Sequence, residues 1–441
     1  MLLLPKSKDK NLLNKFIIFC NGTVVLLLLS VETVQIQRNE KKKVSLVEKF
    51  KSLKIWIKIL IVLPVVALLV FSLYYFRIFS LFKVHEKIDA SYVLVLSTLD
   101  KFQLNYFKLP SPPQVKDKEN PINGNMITRD KLKEMQSHKA FAVTVNNHTD
   151  ARPQNGLSRA DIVLEVLAEG GITRYVPIFY ENADTAKIGP VRSVRLYMLE
   201  FIQGFDDPIL LHEGQAGYDG AAFETYNPRS DARGYIFKNG INSMQSAGSR
   251  YRDKDRAKLK GYVHSLFTSG PLIMKEAANY GWVLPSDIEP LKFKLDAPLD
   301  QRGSFTSLTT TFIGLSSKDY TSSFSYDKNM NNYPRSIAGK PDMDELTGEQ
   351  IAPKNVVLEW HKYADANDGH AHLVIDMIGE DEAVILRDGQ VINGKWKKTC
   401  AKCRAHYFDL EGNEIELNRG LIWEVVAIRT SAKKVSTVEV K

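Results

Sequence analysis

Cysteine is scarce in this chain: three in 441 residues, at positions 20, 400 and 403. That excludes a disulfide scaffold, and it excludes a zinc module built from two Cys-x-x-Cys pairs. The one pair, Cys400-Ala401-Lys402-Cys403, lies between Gly394-Lys395-Trp396 and Tyr407-Phe408-Asp409, a hairpin-like setting. A thioredoxin-like motif would open a helix after a strand instead. An oxidised pair in a tight turn is the expectation outside the cytoplasm. Also missing are a Gly-x-Ser-x-Gly elbow, a His-Glu-x-x-His pair and a Walker-type loop. Serine-hydrolase, zincin and P-loop chemistry therefore lack support. No metal or cofactor is implied, and there are no long repeats or low-complexity blocks.

Acidic residues are scarce only at the start. Residues 1–83 carry 14 Lys and Arg against 4 Asp and Glu. Their excess of +10 exceeds the net charge of +8, so the remainder is slightly acidic. The basic balance belongs to the N-terminal end and does not argue for nucleic acid.

Charge is absent from Ile59 to Phe76, a run of 18 residues. Ile55-Trp56-Ile57 and Ile78-Phe79 extend it past Lys58 and Arg77. About 20 apolar residues span a bilayer, and Trp56, Tyr74 and Tyr75 suit its interfaces. The spacing predicts a single-pass transmembrane helix over residues 55–79, behind a basic tail of residues 1–54. Arg38, Lys41, Lys42, Lys43, Lys49, Lys51 and Lys54 place that tail in the cytoplasm by the positive-inside rule. Everything after the helix is then outside it. No small-residue cleavage site stands out, which favours an uncleaved anchor. A shorter apolar stretch, Phe16–Val31, reads as a candidate second span. Alternatively, residues 1–40 precede a true start near Val44 or Leu46.

Residues 80–138 read as a stalk with breakers at Leu109-Pro110-Ser111-Pro112-Pro113 and Asn120-Pro121, and with local helix around Ala90–Phe107. From 139 to 290 strands alternate with helices, predicting an α/β domain. Strands are expected at Ala140–Val145, Ile162–Ala168, Thr173–Tyr180 and Ile209–His212. Pro177 demotes the third of these to an edge or a bulge. Gly189-Pro190 is expected to open a helix carrying Val191, Val194, Met198, Phe201 and Ile202. Further helices are expected at Gly220–Tyr226 and Ser269–Tyr280. Leu284–Pro298 reads as a linker. Residues 300–430 offer only short strand candidates separated by turns, predicting a β-rich C-terminal domain. Trp396 and Trp423 are expected in its core.

The candidate site lies in Asn146-Asn147-His148, Arg152-Pro153-Gln154, Asp161 to Glu165, Glu169-Gly170-Gly171-Ile172-Thr173-Arg174 and Lys187 to Arg195. Asn147, His148, Arg152, Glu165, Glu169, Arg174, Arg192, Arg195, His212 and His264 are the candidate ligand-binding residues; no catalytic residue is assigned. Arg192 and Arg195, three apart at a helix start, would share a side and suit a phosphate or carboxylate. One of them is equally expected to pair with Glu165, a carboxylate inside an apolar run. Glu165 and Glu169 are a weak acid–base pair, roughly 13 Å apart along a strand. His148, His212 and His264 each end a strand-like segment and are able to converge.

These motifs resemble a bacterial YerB-like lipoprotein family, a domain-of-unknown-function family with N- and C-terminal parts. The resemblance runs through Ala151-Arg152-Pro153-Gln154, Ala168-Glu169-Gly170-Gly171-Ile172-Thr173-Arg174 and Ile188-Gly189-Pro190-Val191-Arg192-Ser193. It continues through Asp344, Thr347-Gly348, Asn355-Val356-Val357, Gly394-Lys395-Trp396 and Gly420-Leu421-Ile422-Trp423, and covers roughly residues 139–428. It implies an exported location and a two-part architecture, and brings no known activity. The chain departs from the family in having a transmembrane segment instead of a lipidated Cys, and Ser265 after His264 instead of Asn. Two functional expectations follow. One is a membrane-anchored envelope protein binding an anionic envelope ligand or an envelope protein partner. The other is an enzyme acting on phosphorylated cell-wall intermediates, by loose analogy to LytR-type phosphotransferases, which combine an anchor, a strand Asp (here Asp161) and following arginines.

Overall fold

A computed structural model describes residues 14–20, 23–29, 115–217, 226–313 and 317–441. The expected transmembrane helix over 55–79, the expected helix around Ala90–Phe107 and most of the helix expected at Gly220–Tyr226 lie outside them. Among the described residues no helix is long and apolar enough to cross a membrane. Within the stretch read as a candidate second span, Asn14–Cys20 and Thr23–Leu29 pair as an antiparallel two-stranded ribbon, Cys20 opposite Thr23. The two residues between them in sequence, Asn21-Gly22, are the pair that two-residue hairpins favour.

Residues 112–441 form one compact unit organised by a 12-stranded sheet. Its strands are β1 (Phe141–Val143), β2 (Val145–Asn146), β3 (Ile162–Leu167), β4 (Thr173–Phe179), β5 (Ile209–Leu211) and β6 (Ser243–Met244) from the N-terminal half. From the C-terminal half come β7 (Asn355–Asp365), β8 (Leu373–Ile375), β9 (Gly379–Arg387), β10 (Gln390–Lys398), β11 (His406–Asp409) and β12 (Ile422–Arg429). The order is β6-β5-β1-β4-β3-β12-β7-β9-β10-β11, with β2 added beside β4 and β8 beside β7. Strand β12 is the seam, parallel to β3 on one side and to β7 on the other. Its sequence, Ile422-Trp423-Glu424-Val425-Val426-Ala427-Ile428, is nearly continuously apolar. That is the composition of a strand covered on both faces. The N-terminal region is thus mixed α/β and the C-terminal region β-rich, and one sheet runs through both.

Strand β4 is interior, not an edge or bulge strand. It pairs with β3 along its whole length, Val163 facing Pro177, and on its other side with β1 and then β2. Pro177 has no N–H to give, and the neighbouring strand is interrupted there. Thr144, between β1 and β2, turns its N–H to the Leu211 carbonyl (3.1 Å) and receives the Arg192 N–H (2.8 Å). The break absorbs the missing donor.

The helix expected after Gly189-Pro190 begins later. Gly189-Pro190 is a cis peptide, and residues 188–194 run extended, bridging Thr268, Asn155, Val145 and Gln215. Helix α2 spans Leu196–Ile202, after α1 (Arg129–Gln136), with Arg195 as the residue preceding its first turn. Arg192 and Arg195 therefore share no helix face. Helices α3 (Ala232–Asn239), α4 (Lys254–Lys260) and α5 (Gly270–Asn279) follow. In α5 the Ser269 hydroxyl caps the Leu272 N–H and Pro271 sits in the first turn, both standard start signals. Gly270 lies so close to Ala183 that a Cβ there would meet its carbonyl oxygen at 1.8 Å.

A five-stranded antiparallel sheet runs in the order Lys340–Pro341, Arg335–Ile337, Ser322–Ser325, Ser307–Thr311, Thr437–Val440. It delivers Arg335, fully buried, against Trp423, Tyr175 and Phe324. Trp360, Trp396 and Trp423 are all buried. Cys400 and Cys403 form a disulfide in the turn between β10 and β11.

Candidate functional site

The sequence-derived residues separate into four places. Glu165, on β3, has no solvent exposure and accepts from Arg335 Nη2 (2.7 Å) and Trp423 Nε1 (3.1 Å). Its ion-pair partner is therefore neither Arg192 nor Arg195. Arg335 also binds Asp342, and together its partners keep its guanidinium charged despite burial. This triad joins the five-stranded sheet to the centre of the large one.

A second cluster forms where β3 ends and β4 begins. Glu169 receives both nitrogens of the Arg195 fork, Nη2 at 2.7 Å and Nε more closely still, and Arg174 Nη2 at 3.1 Å. Arg174 also donates to the Ser193 carbonyl (2.8 Å). Burial pushes the Glu169 carboxyl up, but the Arg195 hydrogen bonds and the charges of Arg195 and Arg174 outweigh it and hold the group at about 2. Burial, with Arg195 nearby, lowers Arg174 to about 10. Glu165 and Glu169 are thus each committed to arginines, which removes them as an acid–base pair.

The third place is an amide-rich brace. Asn147 donates to Thr173 Oγ1 (2.7 Å), and its Oδ1 accepts from Arg152 Nε (3.0 Å) and Gln154 Nε2 (3.1 Å). Arg152 also lies over the Tyr320 ring, 4.9 Å from its centroid. These two residues hold the loop after β2.

The fourth place stacks His148 on His264 within the electrostatic reach of Arg192. The two imidazoles stack with centroids 4.8 Å apart and 17° between planes. Asn146 Nδ2 meets His264 Nδ1 at 3.0 Å, while Asn146 Oδ1 accepts the His148 N–H at 2.9 Å. Arg192 is half-buried, and its charge acts on both His264 and Arg174. Its guanidinium makes no hydrogen bond or ion pair among the described residues. Its backbone is pinned, the N–H to Thr144 and the carbonyl to the Glu213 N–H (3.1 Å). His264 is lowered from its ordinary value by burial first, then by His148 and Arg192. His148, Asp150 and His264 each bring a ligand atom within 4.8 Å of the others. His212 does not join them. It is buried, its ring held between the Gly214 carbonyl (2.9 Å) and Ser243 Oγ (2.7 Å), and burial lowers it to about 4.

Several participants lie outside the set of candidate ligand-binding residues. Asn146 and Asp150 flank residues already singled out, and the Asn146-Asn147-His148 motif signals them. Arg256 does not announce itself within Lys254-Asp255-Arg256-Ala257-Lys258, yet it is buried and donates to the Pro153 carbonyl (2.7 Å) and Glu345 Oε2 (2.8 Å). Asp161 is fully buried and accepts from Asn120, Asn123 and the Tyr180 and Glu181 N–H groups. Burial, then the Glu181 charge, raise it to about 7. It stands at the opposite end of β3 from Glu169, roughly 25 Å away along an extended strand. A further buried set joins Glu359, Tyr407, Glu424 and His361 beside a cavity of about 20 Å³, room for one water.

Comparison with known proteins agrees with this architecture. Residues 128–283 match the N-terminal domain, and residues 311–423 the C-terminal domain, of a family described as protein of unknown function DUF3048. The chain is 32% identical over 288 residues to a protein described as "Putative lipoprotein YerB" from Bacillus subtilis (strain 168), covering 65% of this chain and 80% of that one. A crystal structure of YerB protein from Bacillus subtilis superposes with a TM-score of 0.58 at 24% identity, covering 73% of this chain and all of that one; it supports the fold. The chain belongs to the DUF3048, YerB-like family.

Proposed function

We propose that this protein is a membrane-anchored envelope protein whose folded region lies outside the cytoplasm and binds an anionic envelope ligand beside Arg192. The apolar run Ile59–Phe76 and the basic residues before it support the anchor and its orientation. A relative described as a lipoprotein is consistent with an envelope location.

The observation that carries the ligand reading is Arg192. The neighbouring Arg174 and Arg195 share the single carboxylate of Glu169, whereas Arg192 has no acceptor among the described residues. Such a guanidinium, on a pinned backbone and with its charge felt at His264, is a preorganised anion acceptor. The enzymatic alternative, action on phosphorylated cell-wall intermediates, leaned on Asp161. That carboxylate is fully buried and taken up by Asn120, Asn123 and the Tyr180 and Glu181 N–H groups, so binding is the better supported reading.

The test is thermal stability of the full-length chain in detergent against phosphorylated and glycan envelope compounds. A ligand specific to the native state raises the melting temperature by mass action. A shift with a phosphorylated lipid precursor that disappears in Arg192→Ala supports the proposal. No shift with any compound overturns it in favour of a protein partner. Turnover of the precursor revives the enzymatic reading.

A further inference from the structure

We infer that His148 and His264 form a two-donor subsite for a phosphate group, their Nε2–H groups binding its oxygens while Arg192 neutralises its charge. The inference deepens the anion reading above and rests on it.

The Asn146 amide cannot flip, because its oxygen end accepts the His148 N–H at 2.9 Å. Its NH2 end therefore faces His264 Nδ1 at 3.0 Å. Nδ1 must accept, so the neutral ring carries its proton on Nε2. His148 is set the same way: its Nδ1 accepts the Asp150 N–H at 3.2 Å. If His148 gains a second proton, Nδ1 turns to Asp150 Oδ2 at 3.5 Å, and Nε2 still carries hydrogen. Neither Nε2 has a partner among the described residues. The stacked rings thus present two N–H donors within the field of the Arg192 charge, and an acceptor-only tetrahedral group satisfies them.

The same three residues, His148, Asp150 and His264, are close enough to suggest a metal ion instead. A metal on His264 Nε2 would need Nδ1 to carry hydrogen, directly against the Asn146 NH2 group. The fixed amide therefore disfavours a cation and favours an anion. Asp150 is an opposing charge in the cluster, and its side chain is 61% exposed, where solvent weakens its repulsion.

The two chemistries predict opposite effects of one substitution. The full-length chain in detergent is titrated with inorganic phosphate and, separately, with zinc. Asp150→Asn should tighten phosphate about threefold, since it removes an exposed opposing charge. His264→Asn, which loses the Nε2–H position, should weaken phosphate about tenfold, the equivalent of one hydrogen bond. His264→Gln, which restores a donor there, should recover most of it, and His148→Phe should match His264→Asn. Vesicles containing phosphatidic acid, compared with free phosphate, distinguish a lipid headgroup from a soluble source. If Arg192→Ala weakens phosphate but the histidine and Asp150 variants do not, the histidine subsite is wrong and the anion reading stands. If the unmodified chain takes no phosphate in either form, both fail. Stoichiometric zinc binding lost in Asp150→Asn overturns the donor assignment.

Discussion

Glu169 accepts from two arginines at once: Arg195 through both arms of its fork and Arg174 at 3.1 Å. This pairing lowers its carboxyl from 4.5 to about 2. A group depressed in the folded state stabilises above its unfolded value and loses that contribution as pH falls through the folded one. The shift corresponds to about 3 kcal/mol. Urea unfolding should therefore show stability that falls by about that amount between pH 5 and pH 2 on account of this residue. Glu169→Gln should flatten that part of the profile and lower stability at pH 7. An unchanged profile would contradict the assignment.

Arg335 should be among the most sensitive positions of the fold. It is wholly buried between Glu165 and Asp342, and removing one partner of a buried pair costs about 3–5 kcal/mol. Arg335→Ala should cost that much in chemical denaturation. Arg335→Met combined with Glu165→Leu and Asp342→Leu should recover a large part of it, because no charge is left stranded. A cost below about 1 kcal/mol for Arg335→Ala would place the pair outside the native core.

The legibility of this fold in its sequence was uneven for physical reasons. Period-two runs and turn residues located most C-terminal strands, because alternation and Gly-containing turns are local signals. They could not reveal that Ile422–Arg429 inserts between Ile162–Leu167 and Asn355–Asp365, since an apolar strand does not encode its neighbour. The Pro177 inference failed because the compensating break lies at Thr144 on another strand. The helix at Gly189-Pro190 was misplaced because extended bridges to four distant residues outweighed local helix periodicity. At the site, Asn147, His148, Arg152, Arg174 and Arg195 were visible as motif residues, but their pairings were not. Glu165 was expected to need a cation, yet Arg335 lies 170 positions away. His212 looked equivalent to His264 in sequence, and only burial and its two ring partners separate them.

Glu424 offers a test on the alkaline side. Tyr407 bridges it to Glu359, and burial first, then the Glu359 charge, raise its carboxyl to about 8. A carboxyl raised on folding contributes stability that is complete below the unfolded value near 4.5 and is lost as pH rises to about 8. Glu424→Gln keeps a donor without the charge. It should stabilise the protein at pH 8 by about 1–3 kcal/mol and leave pH 4.5 little changed. Thermal unfolding at the two pH values checks it, and a loss of stability at pH 8 would contradict it.

The disulfide closes only a small loop, so its removal should be mild. Replacing Cys400 and Cys403 with alanine should cost about 2 kcal/mol by loop-closure entropy, with phosphate binding at Arg192 unaffected. Unfolding of the double variant in urea provides the number, and a loss of the whole fold would contradict it.

The central claim is that Arg192 receives an anion, and calorimetric titration tests it most directly. The full-length chain and Arg192→Ala are each titrated with a phosphorylated lipid precursor in the same detergent. The account predicts saturable binding to the former and a loss of about tenfold or more in the variant, the scale of a charge-assisted hydrogen bond. Equal affinity for both proteins would contradict it.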